Sequence, residues 1–221
     1  CASVATCQNM QMKNGSYTDV VAGNVNFEDT NLYTSGASTL RAVATGANTV
    51  VVPINGEPNG TPTGIFNMLR SVFAAENTPS TINVRAGTIT LGEEGEIYTV
   101  NQTSAAAAGT IDIRASAGIN LSDGAEIGAV TFATGTASNI NIQAASLKIA
   151  GNDNNGVTGI ISDTISSGTG GDISITIGGP VSIQRGGVIS ASAKSTGNAG
   201  SVMMTAADIT MDRSNSPVTK V

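Results

Sequence analysis

Thr81-Ile82-Asn83-Val84, Thr110-Ile111-Asp112-Ile113, Asn139-Ile140-Asn141-Ile142, Asp172-Ile173-Ser174-Ile175 and Ser201-Val202-Met203-Met204 are five versions of one short phrase. Their first apolar residues, Ile82, Ile111, Ile140, Ile173 and Val202, follow one another at steps of 29, 29, 33 and 29 residues. The one long step contains Gly151-Asn152-Asp153-Asn154-Asn155-Gly156, a turn-forming insertion of the kind a connection accommodates at little entropic cost. Within the first four phrases apolar and polar residues alternate, so the two sets lie on opposite faces of an extended strand. β-branched side chains on one face, and glycine-rich corners between the runs, favour strand over helix.

Each phrase is followed by a second apolar pair 7 or 8 residues on: Ile89/Leu91, Ile119/Leu121, Leu147/Ile149, Val181/Ile183 and Ile209/Met211. A third stretch comes about 8 residues later, marked by Ile97, Ile127 and Ile189, with Ile161 after the insertion. The expectation is an all-β chain, a right-handed parallel β-helix with coils of about 29 residues and three strands each. Equivalent residues of successive coils would stack about 4.8 Å apart into Ile/Val/Leu ladders. A β-sandwich would instead call for a hairpin signal between neighbouring strands. Asn14-Gly15, Asn55-Gly56, Asn59-Gly60 and Asn155-Gly156 are present but do not recur once per repeat.

Outward from the repeat, the chain divides into an N-terminal arm (1–23), irregular coils (24–80) and regular coils (81–221). Asn24-Val25-Asn26-Phe27 and Val50-Val51-Val52-Pro53-Ile54 read as strands of the irregular part. Ile65, Leu69, Val72 and Phe73 fall at i, i+4, i+7 and i+8, which predicts a short helix near residues 64–76 packed on the side or end of the coils. The last repeat stops after Ile209 and Met211, so Val218 and Val221 mark an uncovered end for self-assembly.

Charged residues make up 12% of the 221-residue chain and aromatics 3%, with no His and no Trp. Charged residues ordinarily run at about 25%. The net charge of −6 and the lack of a Lys/Arg run argue against nucleic acid as a partner. No apolar run reaches the ~18 residues of a transmembrane helix. Cys1 and Cys7 are disulfide candidates in an oxidising compartment; a lipid-modified Cys1 and two free thiols are the alternatives.

The absence of His excludes a His-based triad or metal site. No phosphate-binding loop or dinucleotide fingerprint occurs. Glu93, Glu94, Glu96, Asp123, Glu126 and Asp153 would form an acidic column, readable as a calcium site or as a solvated edge. The expectation is a non-enzyme with no catalytic, metal or cofactor-binding residue assigned, and no cofactor.

Gly170-Gly171-Asp172-Ile173-Ser174-Ile175, Gly187-Val188-Ile189-Ser190-Ala191-Ser192-Ala193 and Gly197-Asn198-Ala199-Gly200-Ser201-Val202 resemble the repeats of filamentous-haemagglutinin-like exoproteins, the passengers of two-partner secretion. The resemblance covers residues 81–213. It implies a right-handed parallel β-helix, export, and roles in adhesion, aggregation or surface structure. The Asn-Pro-Asn-Gly-type motif of that family's secretion domain has only Glu57-Pro58-Asn59-Gly60 as a counterpart. The functional expectation is a secreted structural or adhesive module at the outer cell surface or beyond it. It would be a filament subunit or segment assembling end to end, with glycans or matrix components as further partners. The alternative is a carbohydrate-binding or polysaccharide-degrading β-helix.

Overall fold

The structure is a computed structural model that describes residues 9–11, 15–53, 56–77, 80–104, 109–151 and 156–213. Cys1, Cys7, Asp153, Val218 and Val221 lie outside the described residues. Eighteen strands follow in order: β1 (Asn9–Gln11), β2 (Tyr17–Ala22), β3 (Val25–Glu28), β4 (Asn31–Ser35), β5 (Thr39–Ala44) and β6 (Ile65–Leu69). Next come β7 (Val72–Glu76), β8 (Thr81–Gly92), β9 (Glu96–Asn101), β10 (Thr110–Ser122), β11 (Glu126–Thr131) and β12 (Asn139–Ala150). The last are β13 (Gly159–Thr164), β14 (Ile173–Ile177), β15 (Pro180–Gln184), β16 (Val188–Ala193), β17 (Val202–Thr205) and β18 (Asp208–Asp212).

All the strand pairs are parallel and they form two sheets. The first has seven strands in the order β1-β4-β7-β9-β11-β13-β16. The second has eleven, along the path β17-β14-β12-β10-β8-β5-β2, with β3, β6, β15 and β18 attached beside it. The chain crosses from one sheet to the other and back, and both sheets bury their inner faces in one apolar core. Ile82, Ile111, Ile140, Ile173 and Val202 are register partners in succession, as are Ile97, Ile127, Ile160 and Ile189. Apart from Ile189 and Val202 these residues are essentially unexposed, and each such side chain contributes roughly 2 kcal/mol of burial.

The expected β-helix is corrected here. In place of coils of three separate strands, hydrogen bonding gives two discrete parallel sheets. The first and second apolar pairs of a repeat do not sit on separate strands in the central repeats. They run on as one strand of twelve or thirteen residues, in β8, β10 and β12. The sequence hides this because Ala86-Gly87 and Ala115-Ser116-Ala117-Gly118 look like turns. Backbone hydrogen bonding carries the strand through them, since β8 pairs with β5 over its first half and with β6 over its second. Between Ala115 and Gly118, β10 holds one residue more than either neighbour. This is a bulge, and it accounts for the 8-residue spacing of Ile111 and Ile119 against the 7 of Ile82/Ile89 and Ile140/Leu147 on either side.

The helix near residues 64–76 is also corrected. That segment is β6 and β7, joined by Arg70 at φ 48° and Ser71. Phe66, Met68, Phe73 and Ala75 point inward with period two, while Ile65 of the supposed stripe is half exposed. Phe27, Phe66 and Phe73 stack as a cluster with centroids 5.7–6.0 Å apart. The helical spacing arose because the two strands are offset at the Arg70-Ser71 corner. No helix among the described residues is long and apolar enough to cross a membrane.

Candidate functional site

Among the described residues a long excursion leaves β5 at Ala44 and returns at Ile65, and it lies against the outer face of the second sheet. Its base is closed by Thr63 N–H to the Thr45 carbonyl and Gly64 N–H to the Ala44 carbonyl, at 3.2 and 3.0 Å. Val51 and Asn59 exchange both backbone bonds across it. Gly64 is obligatory, because a Cβ there would lie 1.9 Å from the Gly23 carbonyl oxygen.

Two arginines on the sheet anchor the excursion. Arg41, on β5, grips the Asp19 carboxylate through Nε and Nη2 at 2.8 and 2.5 Å, lies over the Tyr17 ring, and donates to the carbonyls of Pro53 and Gly56. Arg85, on β8, is 4% exposed. It donates through Nε and Nη2 to both oxygens of Glu57, each at 2.7 Å, and through Nη1 to the carbonyls of Asp112 and Val84. Asp112 Oδ2 lies 3.1 Å from Nη2. Burial works against the charge of Arg85, but Glu57 and Asp112 outweigh it and hold its pKa above the usual value. The same hydrogen bonds hold the Glu57 carboxyl below its usual range.

Between the excursion and the sheet lies a cleft of about 590 Å³. Its floor is the exposed Ala145 with Gly178, bordered by the buried Ala86, Ala115 and Ala144, and its roof is Pro58 and Gly60 to Pro62. Arg85, Arg114 and Glu57 close one end, and Ser116, Gln143 and Thr176 line the wall. Bulges re-aim side chains, and here the bulge in β10 carries Ser116, whose hydroxyl donates to the Pro62 carbonyl at 2.8 Å. The volume is that of an ordinary small-molecule site. Smaller hollows of about 320 and 280 Å³ adjoin it, one beside Tyr17 and Arg41, the other beside Asp112, Asn141 and Ser174.

The acidic residues singled out in the sequence are dispersed. Glu93 pairs with Arg70, which also holds Glu28 and Asp29 on the exposed surface. Glu94 and Asp123 occupy tight turns at φ 63° and 53°. Glu96 and Glu126 are register neighbours on the outer face of the first sheet. Beside them, Asp163 accepts from Ser192 Oγ and pairs with Lys194, both at 2.5 Å. Burial first, then the charges of Glu96 and Asp163, push the Glu126 carboxyl up to about 7. Burial likewise raises Glu96 and the Tyr98 phenol. Among the described residues no three His, Cys, Asp or Glu side chains are gathered to hold a metal ion.

Sequence reading missed the cleft. Its signal was available: Arg85 and Arg114 are two of the chain's ten Lys and Arg residues, they stand one repeat apart, and they are register partners.

No family model, curated protein or solved structure matches the chain. The likeness to filamentous-haemagglutinin-like exoproteins is therefore corrected: it rested on a glycine-rich repeat pattern, and the strands of that pattern belong to two discrete sheets. The expected roles as an adhesive filament subunit and as a carbohydrate-binding or polysaccharide-degrading β-helix rested on that fold, and they fall with it.

Proposed function

We propose that the chain is a non-catalytic binding domain that holds a small organic molecule in the cleft beneath residues 45–64. The observation that carries this reading is the way the excursion is held. Arg41 and Arg85 tie its backbone and Glu57 to the sheet, yet a volume of about 590 Å³ stays open beside those ties. A loop whose role was only to cover the sheet would settle onto it and fill that space, because close packing is the favoured state of an interior. An apolar floor with a few convergent polar groups at one end is the usual construction of a ligand site. The non-catalytic reading rests on the cleft's polar groups: its acids are committed to its arginines, and among the described residues neither a nucleophile with an adjacent base nor a pair of free carboxylates faces the space. An extracellular location accords with the low charge content, and the net charge of −6 accords with a partner other than nucleic acid.

The test is a fragment screen by ligand-observed NMR on the whole chain, repeated with Ala145→Trp. Ala145 is exposed on the cleft floor, so the indole fills the space without disturbing the core. Hits that bind the native chain and are lost in the variant support the reading. A screen without hits, or hits indifferent to the indole, would sink it.

A further inference from the structure

We infer that the ligand of the cleft carries a single carboxylate, seated on the guanidinium of Arg114, with its body lying over Ala145. The inference rests on the cleft being a binding site and adds the chemistry of what enters it.

The two arginines at the closed end differ in what they have left to give. Arg85 has used its donors on Glu57, Asp112 and the Val84 carbonyl. Arg114 stands one strand over in the same register. It is 46% exposed, and among the described residues it makes one hydrogen bond, from Nη2 to Asp112 Oδ2 at 3.0 Å. Its Nη1 lies 3.6 Å from Glu57 Oε2, too far for a hydrogen bond. A guanidinium has five N–H donors in a planar fork, so most of those on Arg114 remain open toward the cleft and the adjoining hollow, both of which it lines. That fork matches a planar carboxylate with two parallel hydrogen bonds.

Local charge decides the number of negative charges the ligand brings. Arg85 and Arg114 are balanced by Glu57 and Asp112, so the empty end is neutral. A monoanion leaves one negative charge, shared by two guanidinium groups. A dianion leaves two, beside two carboxylates, and is disfavoured. A cation finds little acceptor capacity, because Glu57 gives both oxygens to Arg85 and Asp112 is shared by both arginines. Behind the fork, Ala145 is the exposed alanine of the cleft, and Ala86, Ala115 and Ala144, successive register partners, lie buried at its border.

The experiment titrates the full chain, labelled at alanine methyls, with benzoate, benzamide, phenylphosphonate and benzylammonium. Benzoate is expected to shift the methyl of Ala145 and those of Ala86, Ala115 and Ala144 at the border of the cleft with a roughly millimolar Kd, about tenfold or more below that of benzamide. Arg114→Gln should bring benzoate to the benzamide level, while the dispersion of the spectrum shows the fold retained. Arg114→Lys should recover only part of the difference, since an ammonium lacks the fork. Equal binding of benzoate and benzamide at these methyls would overturn the carboxylate while leaving the cleft as a site. Tighter binding of phenylphosphonate or benzylammonium would overturn the single negative charge. No response of these methyls to any of the four would remove both this inference and the reading beneath it.

Discussion

Around Arg85, on the outer face of the second sheet, a charge 4% exposed meets two carboxylates and two carbonyl oxygens. Around Glu126, on the outer face of the first sheet, a half-buried carboxyl meets two further acids, with Lys194 committed to one of them. The parallel register produces both situations. Stacking residues one repeat apart brings like over like, Arg85 beside Arg114 and Glu96 beside Glu126. The difference lies in what comes from outside the repeat. The 45–64 excursion delivers Glu57 to the arginines, and nothing described delivers an equivalent cation to Glu126. An ordered stack therefore needs an irregular segment to neutralise its own repetition.

The largest expected effect comes from breaking the satisfied face. Arg85→Ala leaves Asp112 without its buried partner and frees Glu57, and should cost about 3 kcal/mol in urea unfolding. A loss below about 1 kcal/mol would mean that the excursion is held by its backbone bonds alone.

The unsatisfied face gives the next effect, with the opposite sign. The folded pKa of Glu126, about 7, lies above its ordinary value of 4.5. Its contribution to stability is thus fully present below pH 4.5 and is lost as pH rises through 7. Glu57 is shifted down, so its contribution is present above pH 4.5 and is lost as pH falls through its lowered folded pKa. Glu126→Gln should stabilise the chain by roughly 2 kcal/mol at pH 8 and by little at pH 4, read from paired denaturation curves. An equal gain at both pH values would point to packing rather than charge.

Inside the first sheet, the Thr99 hydroxyl is buried without a partner among the described residues. Thr99→Val should therefore gain about 1 kcal/mol in thermal unfolding, and a loss would reveal a bond to trapped water. The smallest effect is expected at Arg114, where removal to Ala should change stability by less than about 0.5 kcal/mol, its ion pairs being largely solvent-exposed. A larger loss would show Arg114 to be a structural tie, like Arg85.

Much of the strand content was legible, because alternation at Ile82/Val84, Ile111/Ile113 and Ile140/Ile142 follows directly from the pleat. The way strands join was not. Ala86-Gly87 has the composition of a corner, and only the hydrogen bonds made by its neighbours show β8 running through it. At Ile65 to Phe73 an offset between two strands imitated a helical stripe. The cleft was the least legible feature. Residues 45–64 read as a polar loop, but a loop's composition does not record which face it covers, and Glu57 meets Arg85 only because the excursion doubles back across the sheet.

The wholly parallel pairing bears on how the chain reaches this state. Even the closest strand partners, Asn9 with Asn31 and Tyr17 with Thr39, are 22 residues apart, and the central ones 28 to 30. Among the described residues no hairpin starts either sheet, so a loop of that size must close before the first ladder bond forms. Chains dominated by such distant pairings fold in milliseconds to seconds, against microseconds for helical bundles. During that interval Ile- and Val-rich segments stand open to other molecules, and fresh polypeptide leaving a ribosome would be most at risk between completing one crossing and laying down the next.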